Sequence, residues 1–244
     1  MKITFVGCGD AFGTGGRFNT CFMVEGVSGT FLIDCGASSL IAMRKLGIEP
    51  NTISAIFISH LHGDHFGGLP FFILDAQFYS RRLSPLTLVG PTGFAQRLHD
   101  AMEIFFPGSA NARRKFEAVV REISPDEPMM IGDVLVTAIE VLHACGAPAL
   151  GLRFNLEGKT IAYSGDSEWT DALIDVGRDA DLFISEALSF DKRISQHLDY
   201  ASLRSNEARI GARRVILTHL GPEMLARQVE AQYEIATDGL IIEL

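Results

Sequence analysis

The sequence predicts an α/β protein in which mixed β-sheets are covered by helices. Three observations predict it. Short runs of apolar and β-branched residues recur along all 244 residues. Stretches with helical spacing interrupt them. Neither half shows the plain βαβ alternation of an all-parallel sheet, so sheets of mixed direction with helices over their faces are the natural arrangement.

The elements follow in order. KITFVG reads as a strand, and CFMVEG and TFLIDCG as two more, split by turn residues at 26–29. Residues 38–46 have helical spacing and stop at Gly47. AIFIS is a short apolar run that feeds directly into HLHGDH. LTLVG is a strand and 93–105 a helix. VLVTAIEVLH, ALGLRFNL and TIAYSGD read as three strands, the last two joined by a turn at Glu157-Gly158. A helix over 169–176 follows, then the strand DLFISEA, a helix over 201–210, the strand RVILTH, a helix over 223–231 and the closing strand GLIIEL.

The bulk numbers are ordinary for a soluble globular protein. The chain is 47% hydrophobic and 21% charged, and it is long enough for one well-buried core, so residues 1–244 are expected to form a single domain. No stretch approaches the ~18–20 uncharged apolar residues of a membrane span. The opening MKITFVGCGD lacks the apolar length of a signal peptide, and the expectation is a cytoplasmic protein. A net charge of -9 argues against a broad nucleic-acid-binding surface. Arg81–Arg82, Arg113–Arg114–Lys115 and Arg213–Arg214 are read as solvated faces. Cys8, Cys21, Cys35 and Cys145 form no CxxC pair and are read as buried thiols.

The chemistry concentrates in His60-Leu61-His62-Gly63-Asp64-His65. Three of the chain's seven histidines and a carboxylate fall within six residues at the end of an apolar run. Imidazole nitrogen and carboxylate oxygen are the ligands of zinc, manganese and iron sites. Gly63 lets the chain turn so that neighbouring side chains converge. His143 and His219 each close an apolar run, IEVLH and VILTH, and Asp166 follows the run AYSG. A lone strand-end histidine is ordinarily structural, but two beside a metal loop reverse that weighting. Asp166 alone would be a turn former or helix cap. As part of the set, its two oxygens can bridge two cations.

The HxHxDH loop, a later strand-end histidine, an SGD aspartate and a final strand-end TH resemble the metallo-β-lactamase superfamily over almost the whole chain. The resemblance implies a four-layer αββα sandwich of two mixed sheets and two divalent metal ions, zinc in the first place with manganese or iron as alternatives. It implies that His60, His62 and His143 bind one ion, that Asp64, His65 and His219 bind the other, and that Asp166 and a water or hydroxide bridge them. A homodimer is implied in the same way.

Within the superfamily the chain resembles the ribonuclease Z-like and phosphodiesterase branch. The shared features are the glycine-rich opening GCGDAFGTGGRFNTC with Arg17, the passage RRLSPLTLVGPTGF, the Glu-Ala pair of DLFISEA, and His197 before a helix. Two departures argue against tRNA as substrate. His143 and Asp166 are too close in sequence to hold the protruding arm of the tRNA-processing members, and the pattern after the extra histidine is His197-Leu198-Asp199.

The function expected is hydrolysis of a small phosphodiester or nucleotide by a metal-bridging hydroxide. Asp64 would bind metal and orient the hydroxide. His197 would protonate the leaving oxygen, with Glu186 accepting its other N–H. The same centre could instead open a thioester, lactone or lactam. A metal-stabilised binding protein without turnover is the alternative of another class. The Gly7–Gly16 loop with Arg17 could hold a substrate phosphate or be a plain turn between strands. Phe66, Phe71, Phe72 and Phe78 are read as core in preference to a substrate pocket. His99 is assigned no role, and whether the 81–91 loop shapes the pocket is open.

Overall fold

The structure is a computed structural model and describes residues 1–27, 29–125 and 127–244. Its strands are β1 (Lys2–Gly7), β2 (Cys21–Gly26), β3 (Gly29–Ile33), β4 (Ile53–Phe57), β5 (Leu86–Pro91), β6 (Ala118–Ile123), β7 (Met129–Ile131), β8 (Val134–Val141), β9 (Ala149–Leu156), β10 (Lys159–Tyr163), β11 (Leu182–Glu186), β12 (Val215–Thr218), β13 (Glu234–Ile235) and β14 (Ile241–Glu243). The helices are α1 (Ser39–Lys45), α2 (Gly63–Phe66), α3 (Leu69–Leu74), α4 (Phe94–Phe105), α5 (Ala172–Gly177), α6 (Tyr200–Ser205), α7 (Glu207–Ile210) and α8 (Pro222–Ala226).

They form two seven-stranded sheets, β14-β1-β2-β3-β4-β5-β6 and β13-β12-β11-β10-β9-β8-β7. Both are mixed. In the first, β14, β1, β2 and β3 pair antiparallel and β3 to β6 parallel. In the second, β7 to β10 pair antiparallel and β10 to β13 parallel. Three apolar clusters define four layers. One lies between the sheets and joins Phe22, Phe31 and Phe57 of the first to Phe154 and Tyr163 of the second. The second packs the outer face of the first sheet under α1, α3 and α4. The third packs the outer face of the second sheet under α5, α6, α7 and α8.

Each sheet is thus buried on both faces, which is why its central strands read as continuous apolar runs without alternation. The ring of Phe57 meets that of Phe154 across the sandwich at 5.1 Å, and Phe22 meets Tyr163 at 5.2 Å. Truncating such a ring to alanine costs about 3–5 kcal/mol. In α4, Phe94, Leu98, Ala101 and Met102 face the core at helical spacing, leaving His99 exposed.

The departures from the sequence reading have physical causes. β6, β7 and β13 were not expected, and all three lie at sheet edges, where a short, part-exposed strand has no long apolar run. The expected helix over 201–210 breaks at Asn206 into α6 and α7. The helix over 169–176 begins only at Ala172, and that over 223–231 stops at Ala226 and continues as a 3-10 turn. Phe66 and Phe72 are core, but Phe71 and Phe78 are exposed.

Arg82 corrects the reading of Arg81–Arg82 as a solvated face. Arg81 is exposed, whereas Arg82 is only 2% exposed. Its guanidinium donates to the carbonyls of Pro50, Ile53, Ser84 and Pro85. Burial lowers its pKa. These bonds tie the 81–91 loop to the start of β4, away from the strand end that leads into HLHGDH, so this loop does not shape the histidine cluster.

Candidate metal centre

The expected ligands come from strand ends. After β4 the chain runs through Ser59 and His60 into α2, which carries Asp64 and His65. This loop is clasped by the segment after β3: Cys35 N–H donates to His65 O, Ala37 N–H to Gly63 O, and Gly68 N–H to Cys35 O. The approach is so close that a Cβ on Gly36 would lie 2.1 Å from Asp64 O. β8 leads to His143, β10 to Asp166, β11 ends on Glu186, and β12 leads to His219. Asp34, Gln196 and His219 all hold left-handed φ angles, of 59°, 72° and 60°. That conformation is costly for non-glycine residues and concentrates at functional sites.

Three overlapping groups of ligand atoms result: two hold the expected ligands, and the third joins Asp166 and His219 to Glu186 and His197. In the first, His60, His62 and His143 converge. His143 donates Nδ1–H to Gln196 O at 2.7 Å, so its Nε2 carries a lone pair, and that atom faces His62 Nδ1 at 3.0 Å. In the second, Asp64, His65, Asp166 and His219 converge. His65 Nε2 lies 3.2 Å from Asp64 Oδ2 and 3.3 Å from Asp166 Oδ1. His219 Nε2 lies 3.2 Å from Asp64 Oδ2 and 3.3 Å from Asp166 Oδ2. Asp166 Oδ2 also approaches His60 Nε2 at 3.8 Å, so this carboxylate touches both groups.

The atoms fit a cation. His60 Nε2, His65 Nε2 and Asp166 Oδ1 are buried without a hydrogen-bond partner among the described residues, and all point into the cluster. Buried polar atoms left unpaired cost free energy unless an ion satisfies them. Nitrogen and carboxylate donors at this spacing suit divalent binding.

The electrostatics divide the centre. Burial pushes His60 well below the usual imidazole range and lowers His62 and His143. Burial acts the same way on His65, but Asp166, Asp64 and Asp34 hold it well above that range. His219 is held up to about 9, because Asp166 and Asp64 outweigh its burial. Asp64 and Asp166 are buried, yet the imidazoles of His65 and His219 hold both well below the carboxylate range.

Beside this cluster, His197 Nδ1 meets Glu186 Oε1 at 2.5 Å. Burial would lower His197, and the hydrogen bond with Glu186 raises it. Burial and the Asp166 carboxylate raise Glu186 in turn. Glu186 also accepts from Ser167 N–H and approaches His219 Nδ1 at 3.6 Å.

Four supporting residues escaped the sequence reading. Asp34, fully buried, accepts from Ser59 N–H at 2.7 Å, Ser59 Oγ–H at 2.8 Å and His65 Nδ1–H at 2.7 Å. It fixes the tautomer of His65 with Nε2 facing the cluster. Ser59 Oγ lies 3.1 Å from His60 Nδ1, Tyr163 Oη 3.5 Å from His65 Nδ1, and Gln196 holds His143. Asp34 carried the signal that exposed Asp166, an apolar run ending in an acid near glycine.

The glycine-rich loop is a turn pinned from within. Asp10 accepts from the N–H groups of Phe12 and Thr14, and Gly13, Gly15 and Gly16 all have positive φ. Arg17 is spent on Ala236 O at 2.8 Å.

The comparisons with known proteins agree with this architecture. The family profile described as Anti-Pycsar protein Apyc1 matches residues 1–238. The chain belongs to that family. This Apyc1-family chain is also 26% identical to the ribonuclease Z of Methanosarcina acetivorans, covering 90% of the chain and 87% of that protein. It is 26% identical to the ribonuclease Z of Methanothermobacter thermautotrophicus over 308 aligned positions, covering 100% of the chain and 97% of the relative. That alignment is longer than the chain itself, so the relative carries segments absent here. Among solved structures, the short form of human tRNase Z superposes with a TM-score of 0.81 at 24% identity, covering 100% of this chain and 99% of that one. The metallo-β-lactamase fold protein YhfI from Bacillus subtilis gives 0.81 at 21%, covering 100% and 99%. The fold is the metallo-β-lactamase fold, and the chain is a ribonuclease Z-like member of that superfamily and a metal-dependent hydrolase.

Proposed function

We propose that the protein is a phosphodiesterase acting on a small phosphodiester or nucleotide. The observation that supports this most directly is the Glu186–His197 pair beside the carboxylate-rich cluster. Two divalent ions, zinc in the first place, would be held by His60, His62 and His143 and by Asp64, His65 and His219, with Asp166 shared. When bound, such a pair of ions activates water at neutral pH and neutralises charge on phosphate oxygens. Asp64 orients the attacking water by hydrogen bonding. His197, kept protonated by Glu186, delivers its proton to the leaving alkoxide, which departs poorly without one.

A thioester would use the same ions, but a thiolate leaves without a proton, so the His197–Glu186 pair weighs against it; a lactone, which expels an alkoxide, is separated from a phosphodiester by the test below. The segment from His143 to Asp166 holds a short turn and the β9–β10 hairpin, with no arm to grip tRNA. A homodimer is proposed through the outer face of α1, α3, the helical turn Asp75–Tyr79 that follows α3, and α4, where Ile41, Phe71, Phe78, Tyr79, Ile104 and Phe105 are exposed. A gel-filtration mass of one chain would refute it.

The test is hydrolysis of bis(p-nitrophenyl) phosphate with added zinc or manganese, beside Asp64→Ala. Metal-dependent turnover abolished by the substitution is expected. No turnover in protein holding about two metals would overturn the phosphodiesterase reading and turn attention to thioesters and lactones.

A further inference from the structure

A small cavity adjoins the candidate centre, and of its lining only His197 has a part in the chemistry above. It encloses about 110 Å³ between the segment that follows Asp166 and the turn over 193–197, with Ser202 of α6 at its side. One wall is His197, and others are Trp169 and Arg193. Both walls are anchored to expected ligands. Trp169 lies three residues beyond Asp166 in the chain. The 193–197 turn is fastened to His143 and its neighbour, because Gln196 O accepts from His143 Nδ1–H and Gln196 Oε1 from Ala144 N–H.

The lining of this cavity suits a ligand. Trp169 is the chain's single tryptophan; it packs partly on the outer core of the second sheet and lines the cavity with the rest. The two acids in the lining are committed elsewhere. Asp199 caps α6 by accepting from Ser202 N–H at 2.8 Å and Ser202 Oγ–H at 2.7 Å. Glu168 accepts from Gln196 N–H at 3.2 Å. Arg193 is exposed and makes no ion pair among the described residues, so it is the uncommitted charge of the cavity. A flat indole face with a free guanidinium suits a planar ring carrying oxygen acceptors, which stacks on the one and accepts from the other.

We propose that this cavity is the subsite for the leaving side of the substrate, and that it seats a planar ring such as a nucleobase or aryl group. Trp169 stacks on the ring and Arg193 donates to its oxygens. The assignment to the leaving side rests on the phosphodiesterase reading, because His197, the proton donor to the leaving oxygen, forms the cavity wall. Trp169 and Arg193 are specificity-determining residues and take no part in bond breaking.

The metal-loaded full chain is compared on methyl p-nitrophenyl phosphate and bis(p-nitrophenyl) phosphate. Both place a ring on the leaving side, and only the second has one on the other side. Trp169→Ala should raise KM about tenfold on both substrates, with kcat and bound metal little changed. Trp169→Phe should restore KM, and Arg193→Ala should raise it severalfold. A rise confined to the second substrate places the ring on the wrong side and overturns the assignment. A fall in kcat together with lost metal makes Trp169 merely structural and overturns it too.

Because Trp169 is the only tryptophan, its fluorescence reports binding without turnover. 4-Nitrobenzylphosphonate should quench it saturably in wild type, with weaker affinity in Arg193→Ala. Absence of quenching with unchanged KM refutes the subsite. Saturable quenching in protein that hydrolyses neither ester refutes the phosphodiesterase reading and the leaving-side assignment, and supports ring binding alone.

Discussion

The two groups of ligand atoms share Asp166 and an edge of the sandwich, yet they are built on different principles. His60, His62 and His143 are three imidazoles with lowered pKa, and His62 is only half-buried. They meet a cation as neutral donors, at little cost in protons. Asp64, His65, Asp166 and His219 are buried, two of them carboxylates that stay ionised, with protons held on the imidazoles between them. A cation entering there must displace protons, and it gains two negative charges in a buried place. The comparison predicts that the acidic group would hold an ion more firmly than the three imidazoles.

Asp166→Ala gives the largest expected effect because it strikes both groups. Turnover of bis(p-nitrophenyl) phosphate should fall on the order of a thousandfold and metal content should drop, as read by steady-state kinetics and elemental analysis. Full activity with full metal would dissolve the idea of a shared carboxylate. His197→Ala removes a neighbour of Asp166, at 3.9 Å, but none of the expected ligands, and kcat on a dialkyl phosphodiester, whose leaving alkoxide needs a proton, should fall about a hundredfold or more with metal unchanged. Metal loss in that variant would contradict its role as a proton donor.

Chelator titration separates the groups. The wild type should release metal in two steps, with His143→Ala removing the weaker and Asp64→Ala the tighter. A single step in wild type breaks the comparison. Asp34→Ala should weaken the tighter step by about 10–100-fold, because His65 loses the acceptor that fixes its tautomer.

The smallest effect is in pH. In metal-stripped protein His219 is held up to about 9, above its ordinary value of 6.5. The stability this contributes is complete below about 6.5 and disappears as pH rises through 9. His60 is lowered by burial and acts oppositely, removing stability as pH falls below 6.5. The unfolding midpoint of stripped protein should therefore decline toward both ends. Metal uptake at pH 7 should release protons into weak buffer, and apparent affinity should rise with pH until about 9. Uptake without proton release would mean that the acidic group is not the one filled.

Much of the architecture was legible because the buried strands are continuous apolar runs and because the chemistry sits where those runs stop. HLHGDH stands at the end of β4, and His143, Asp166 and His219 follow β8, β10 and β12. Less legible was whatever depends on tertiary contact alone. The edge strands β6, β7 and β13 lack a core-facing run. Arg82 reads as a surface residue until the carbonyls of Pro50 and Ile53 surround it. Gln196 supports His143 from a turn 53 residues away, a relation no local spacing reveals. Asp34 was the avoidable omission, since it repeats the pattern that exposed Asp166.

The sheet order also fixes when the centre can exist. HLHGDH emerges early in synthesis, but His219 follows β12, near the end of the chain, and is held by donating its N–H to Cys8 O just after β1. β1 in turn has β14, the last strand, as a neighbour. A nascent chain therefore displays His60, His62, Asp64 and His65 long before their partners arrive, and a metal caught then would have incomplete coordination. Completion of the centre coincides with the meeting of the segments after β1 and β12, so a filled acidic group would report that these two have come together.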